Sequence, residues 1–134
     1  MRLIIPFSAL LLTVAIGTAQ QKPSHRKIAC KTPANANICY WAHGRLSFYN
    51  GTPSIRLWKI GTRQMLGIYS GNDSEKIDGL DNEHPELPDN LQKRFKPSEN
   101  RIFADFEICP LEPRKDNAIQ SACIESTKNL TVEP

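Results

Sequence analysis

His43 and Arg45 stand two residues apart in a stretch of alternating polarity, and Asp105 and Glu107 do the same in another. Residues at i and i+2 of a strand share a face. Two such strands side by side would gather an imidazole, a guanidinium and two carboxylates. An imidazole held against a carboxylate is the minimum that general acid–base chemistry needs. That reading makes the chain a small hydrolase or lyase using His43 with Asp105 or Glu107. No G-x-S-x-G nucleophile motif accompanies it. The plainer expectation is a solvated sheet face with cross-strand ion pairs worth about half a kcal/mol each, and no catalytic residue is assigned.

The same faces carry two tryptophans. Trp41 alternates in step with His43 and Arg45, and Trp58 with Arg56. An indole offers apolar area with a polar rim, and a guanidinium offers a planar fork of donors. Trp41, His43, Arg45, Arg56 and Trp58 are therefore the expected ligand-binding residues, the rings by area and the arginines by bidentate hydrogen bonds. The leading functional expectation is a non-catalytic module that binds a protein or carbohydrate partner. Tyr40, Tyr49 and Tyr69 lie in the same region and are expected mostly in the core.

Metal and cofactor chemistry finds little footing. His25, His43 and His84 have no paired spacing of the H-E-x-x-H kind. The acidic run Asp73, Glu75, Asp78, Asp81 and Glu83 offers hard oxygen ligands without the register of a calcium loop. We expect no metal and no cofactor. Asn50, Asn72 and Asn129 open N-x-[ST] triplets, which matter only where glycosylation operates.

Residues 1–19 read as a secretory leader. Met1 and Arg2 precede an apolar run from Leu3 to Ile16, and Gly17 and Ala19 suit a signal peptidase. The run is shorter than the about 20 apolar residues of a spanning helix. A secreted or periplasmic destination is expected, with no stable membrane insertion after cleavage. Oxidising conditions there would pair Cys30, Cys39, Cys109 and Cys123 as disulfides. Turn-rich residues lie midway between Cys30 and Cys39 and again between Cys109 and Cys123. Those midpoints predict the pairs Cys30–Cys39 and Cys109–Cys123, each across two antiparallel segments.

The net charge of +3 hides an asymmetry. Residues 20–71 hold only basic charges, whereas 72–89 are acidic apart from Lys76. The basic residues are spread along strand-like stretches and do not form a nucleic-acid patch, so no nucleic-acid partner is expected. The acidic run is expected to fold back over the basic strands and cancel their field.

Five or six short strands must position these groups. Ile38–Asn50 alternates throughout, with a bulge or bend expected at Gly44. Asn50-Gly51 and Gly61-Thr62 mark turns leading to Ser54–Ile60 and Gln64–Tyr69, which makes an antiparallel meander. Residues 70–99 read as a long acidic loop with one helical turn near Asp89–Phe95, where Leu91 and Phe95 pair. Arg101–Cys109 and Ile119–Thr127 complete the set. The expected fold is all-β, a small antiparallel β-sandwich or open barrel over residues 28–134, after a flexible tail at 20–27. Two stretches, Trp41-Ala42-His43-Gly44-Arg45 and Pro53-Ser54-Ile55-Arg56-Leu57-Trp58, resemble parts of small exported bacterial proteins of unassigned function. That resemblance implies export and transfers no catalytic or binding residue. An inhibitor-like or envelope-structural protein, with the 70–99 loop as its contact element, is the third functional expectation.

Overall fold

Ile102, Ala104, Phe106 and Ile108 are completely buried, while Phe103, Asp105 and Glu107 between them reach solvent. That period of two is the mark of a strand with one face on a core. It defines β4, Arg101–Pro110. The same alternation turns Tyr40, Ala42, Gly44 and Leu46 of β1 (Tyr40–Phe48) inward and leaves Trp41 and His43 exposed. β2 (Ile55–Lys59) and β3 (Met65–Ile68) follow after short reversals. A single helical turn, α1 (Asp89–Gln92), precedes β4, and β5 (Gln120–Glu133) follows it. These elements belong to a computed structural model that describes residues 25–72 and 84–134. The expected leader at 1–19, the start of the expected tail and the acidic run at 73–83 lie outside the described residues.

The strands close into one barrel in the order β1-β2-β3-β5-β4. Neighbours are antiparallel except β3 and β5, which run parallel through Leu66↔Gln120 and Ile68↔Ala122. The all-β expectation holds, and so does the meander. The sandwich and the open barrel do not, because every strand sends its inward residues into a single cluster that includes Leu46, Leu57, Leu66, Phe106 and Ile124. One sheet curled on itself buries that set and removes both exposed edges.

Two local features differ from the sequence reading. Register runs unbroken through Gly44, where an added Cβ would lie 2.8 Å from Leu57 Cδ1 and 3.0 Å from the Trp58 carbonyl. Glycine there permits close approach of β2, and the register shifts fall on β4, at Phe103/Asp105 and Glu107/Ile108. β5 continues past Thr127 to Glu133 because β4 supplies backbone partners as far as Arg101. Leu91 and Phe95 do pair, and with Leu87 they enter the barrel core.

The disulfide connectivity is a correction. Cys109 and Cys123 oppose each other on β4 and β5, as the turn between them predicts. The bonds, however, are Cys30–Cys123 and Cys39–Cys109. The reason is a strap, residues 26–39, that crosses the outside of the β4–β5 wall. Its Lys31 amide donates to Glu125 and its Lys31 ammonium to Glu107, both at 2.9 Å. Residues 30–39 form no hairpin. The Asn35 side chain donates to the Cys30 carbonyl and accepts from the Thr32 amide, leading into a 3-10 turn at Ala36–Ile38. Cross-links spanning 93 and 70 residues restrict the unfolded chain by about 4–5 kcal/mol each.

Arg26 and Lys27, at the end of the expected tail, are tied to the barrel by hydrogen bonds. The Arg26 guanidinium donates to the carbonyls of Ile28, Ser70 and Ile124, each at 2.8 Å. Glu86 accepts from the amides of Lys27 and Ile28, both at 2.9 Å. Half-buried carbonyls at the strap's origin thus find a charged donor.

Candidate functional site

Alternation along β1 and β2 sends Arg45, Ser47, Arg56 and Trp58 to the outside of the barrel, and the register sets Arg45 opposite Trp58 and Ser47 opposite Arg56. Side chains opposite one another on one sheet face are in contact range. Arg45 accordingly lies over the Trp58 ring, 5.1 Å from its centre. Its Nη2 donates to the Tyr49 hydroxyl at 3.3 Å. Arg56 lies over the Tyr49 ring, also at 5.1 Å, and its Nε donates to the Pro53 carbonyl at 2.8 Å. The Trp58 indole is itself anchored by donation to the Thr62 carbonyl at 2.8 Å. The result is a ladder in the order Trp58, Arg45, Tyr49, Arg56.

The loop between β1 and β2 supports the ladder from one side. The Tyr49 amide donates to the Ser54 carbonyl and closes the loop. Pro53 lies over Gly67 of β3 so tightly that any side chain there would collide with its ring. Gly67 therefore brings Pro53 down onto the sheet, where its carbonyl meets Arg56. Beneath the stacked groups, Arg45 Nε, Ser47 Oγ and Ser54 Oγ are buried and have no hydrogen-bond partner among the described residues. Leaving such a group unpaired costs about 1–3 kcal/mol.

Trp41 and His43 also face outward on β1, but they meet different neighbours. His43 Nδ1 lies 3.0 Å from Asp105 Oδ1, and Asn129 donates to Asp105 Oδ2 at 2.7 Å. The hydrogen bond from Asn129, then that with His43, holds the Asp105 carboxyl below its ordinary pKa. Lys128 stands 4.3 Å from the centre of the Trp41 ring. Glu107 pairs with Lys31 of the strap and not with His43. Of the expected acid–base group, one imidazole–carboxylate contact exists, on an exposed and outward-curving wall.

The structure therefore brings Arg45, Arg56 and Trp58 together and sets Trp41 and His43 apart from them. It also changes the expected division of labour. Each tryptophan has a cation over its ring, so the rings position the cations in place of offering bare area. Tyr49, Ser47 and Ser54 complete the ladder and were absent from the expected set. Tyr49, expected with the other tyrosines mostly in the core, instead continues the outward parity of Trp41, His43 and Arg45. Ser54 was not legible, because its place depends on how the loop closes.

The remaining candidates hold no shared centre. The sulfurs of Cys30, Cys109 and Cys123 lie together, and all three belong to disulfides. His25 stands 3.5 Å from Asp89, far along the chain from the surroundings of His43. No helix among the described residues is long and apolar enough to cross a membrane. No protein-family model, no curated protein and no solved structure matches the chain.

Proposed function

We propose that this chain is an exported, non-catalytic barrel module that binds an acidic oligosaccharide through the outer face of β1 and β2. The observation that carries this reading is the ladder, in which Trp58 and Tyr49 hold two guanidinium groups flat against the wall. A stacked guanidinium loses little side-chain freedom on binding, and Arg45 Nη1 and the two terminal nitrogens of Arg56 keep donors for a ligand. Carboxylate or sulfate groups on a sugar match that donor geometry.

Two further points support the reading. Five-stranded Greek-key barrels bind oligonucleotides and oligosaccharides on a face that includes strand 2 and on the loop between strands 1 and 2, and β2 and the β1–β2 loop supply Arg56, Trp58 and Tyr49 of the ladder, although a fold by itself assigns no function. Two disulfides and a leader-like N-terminus suit an oxidising compartment, where glycans are abundant.

The test is an array of neutral, uronate-bearing and sulfated oligosaccharides probed with the natural protein and with an Arg45→Gln/Arg56→Gln double variant. Binding restricted to the acidic sugars, weakened at least about tenfold in the variant, is expected from the loss of charge-assisted hydrogen bonds. Binding that ignores sugar charge, or that survives in the double variant, overturns the proposal. The His43–Asp105 contact gives the acid–base reading its one support, and no G-x-S-x-G nucleophile motif accompanies it.

A further inference from the structure

A cleft of about 680 Å³ opens at the end of the barrel where the β2–β3 turn faces the β4–β5 loop. Its charged lining consists of Arg63, Arg114 and Lys115 against the single acid Asp116. Lys115 is already paired with Glu112 at 3.1 Å. Arg63 and Arg114 have no ion pair or hydrogen bond among the described residues. One side chain behind the wall stands Lys59, whose ammonium donates to Gln64 Oε1 at 2.8 Å and to the Tyr40 hydroxyl at 3.4 Å. No carboxylate of the described residues contacts it.

The wall between Lys59 and the cleft is fixed by neutral groups. Gln64 accepts from Lys59 with its oxygen and donates to Gln120 with its nitrogen, and Gln120 donates in turn to the Glu112 carbonyl. Glu112 accepts from the Ser121 amide and ties the loop to β5. Both amide side chains have their orientation set by these bonds, so the loop carrying Arg114 is tethered. Burial and then the nearby Arg114 push the Lys59 pKa below its ordinary value. Arg114 thus acts on Lys59 as an unneutralised like charge across a partly desolvated wall, where such charges interact more strongly than in water. A bound anion would relieve that repulsion.

We infer that this cleft binds a tetrahedral oxyanion, phosphate or sulfate, between Arg63 and Arg114, with Lys59 as the half-buried counter-charge behind Gln64. The site is separate from the ladder and does not rest on it. Arg63 and Arg114 supply direct donors, and Lys59 is a positioning and electrostatic residue that reaches the anion through Gln64.

The experiment titrates the natural protein with inorganic phosphate, with inorganic sulfate, and with the same groups carried on a sugar, as glucose 6-phosphate and a sulfated disaccharide. Isothermal calorimetry gives affinity, and NMR follows the Gln64 and Gln120 side-chain amides and the Lys59 Cε resonance. Saturable binding that shifts both amides and raises the Lys59 pKa is expected. An Arg63→Gln/Arg114→Gln variant should lose at least tenfold in affinity, whereas Arg101→Gln at the opposite end of the barrel should lose none. Both substituted arginines are exposed, and the chemical shifts in the natural protein report the site without any variant. Binding of the free ions assigns the site to an inorganic anion, and binding of the sugar-borne groups alone assigns it to a modified glycan. No saturable binding of any probe, or binding that leaves the Gln64 and Gln120 amides and Lys59 unmoved, overturns the inference. The Arg45→Gln/Arg56→Gln variant should titrate normally here, so failure of the ladder and failure of the cleft are separately visible.

Discussion

The barrel has two walls that follow the same pattern of alternation and treat their outward residues differently. On the β4–β5 wall the outward groups are committed internally. Glu107 and Glu125 hold Lys31, Cys109 and Cys123 bond the strap, and the Ile124 carbonyl takes Arg26. On the β1–β2 wall the strap forms no hydrogen bond or disulfide with Arg45, Arg56 or Trp58, and these residues stack on one another and on Tyr49. Charged residues thus face outward on both walls. A wall becomes a candidate ligand surface when no strap covers it and its own rings hold its cations in place.

That contrast makes stability and binding separable. The largest expected effect is on the strap. A Cys39→Ser/Cys109→Ser variant should lose about 4 kcal/mol of unfolding free energy in denaturant titrations, because the lost cross-link spans 70 residues. A loss below about 1 kcal/mol would mean that the strap is held by its hydrogen bonds alone. Next, Arg26→Gln should cost about 2–3 kcal/mol by leaving four carbonyls without their charged donor. Hydrogen exchange should show faster exchange at the Ile28 amide and at β5 around Ile124.

The ladder variants sharpen the comparison from the other side. Trp58→Leu should cost only about 1 kcal/mol of stability, the scale of one cation–π contact with some area, and should abolish the ordering of Arg45. If it unfolds the barrel, the β1–β2 face is structural and the binding proposal fails with it. The smallest effect concerns pH. The Asp105 carboxyl is held below its ordinary pKa of 3.8 by Asn129 and then His43. A depressed folded-state pKa stabilises above the unfolded value, and that contribution disappears as pH falls through the folded one. Asp105→Asn should therefore show a shallower loss of stability on acidification than the natural protein. Identical acid transitions in the two would remove any role for the Asn129–Asp105–His43 cluster.

Much of this was legible in particular residues. The buried row Ile102, Ala104, Phe106 and Ile108 announced β4, and the parity of β1 placed Trp41, His43 and Arg45 outward. Leu91 and Phe95 were visible as a helical pair. The extension of β5 was not, since Ser126 to Thr131 carry little apolar signal and are held by β4's backbone. The disulfides misled for a related reason. A turn midpoint correctly set Cys109 opposite Cys123, but opposition on two strands does not select a bond when a third segment presents thiols of its own.

By itself the sequence determined which side chains point inward and which outward, because strand periodicity is a local property of backbone geometry. It determined the strand class, the reversals between strands and the helical turn for the same reason. The tertiary structure alone decided that the sheet closes through the parallel β3–β5 contact, that the strap claims Cys109 and Cys123, and that Arg45 meets Trp58 while His43 meets Asp105. Those outcomes depend on pairing between residues far apart in the chain, where register and loop closure outweigh any neighbour's preference.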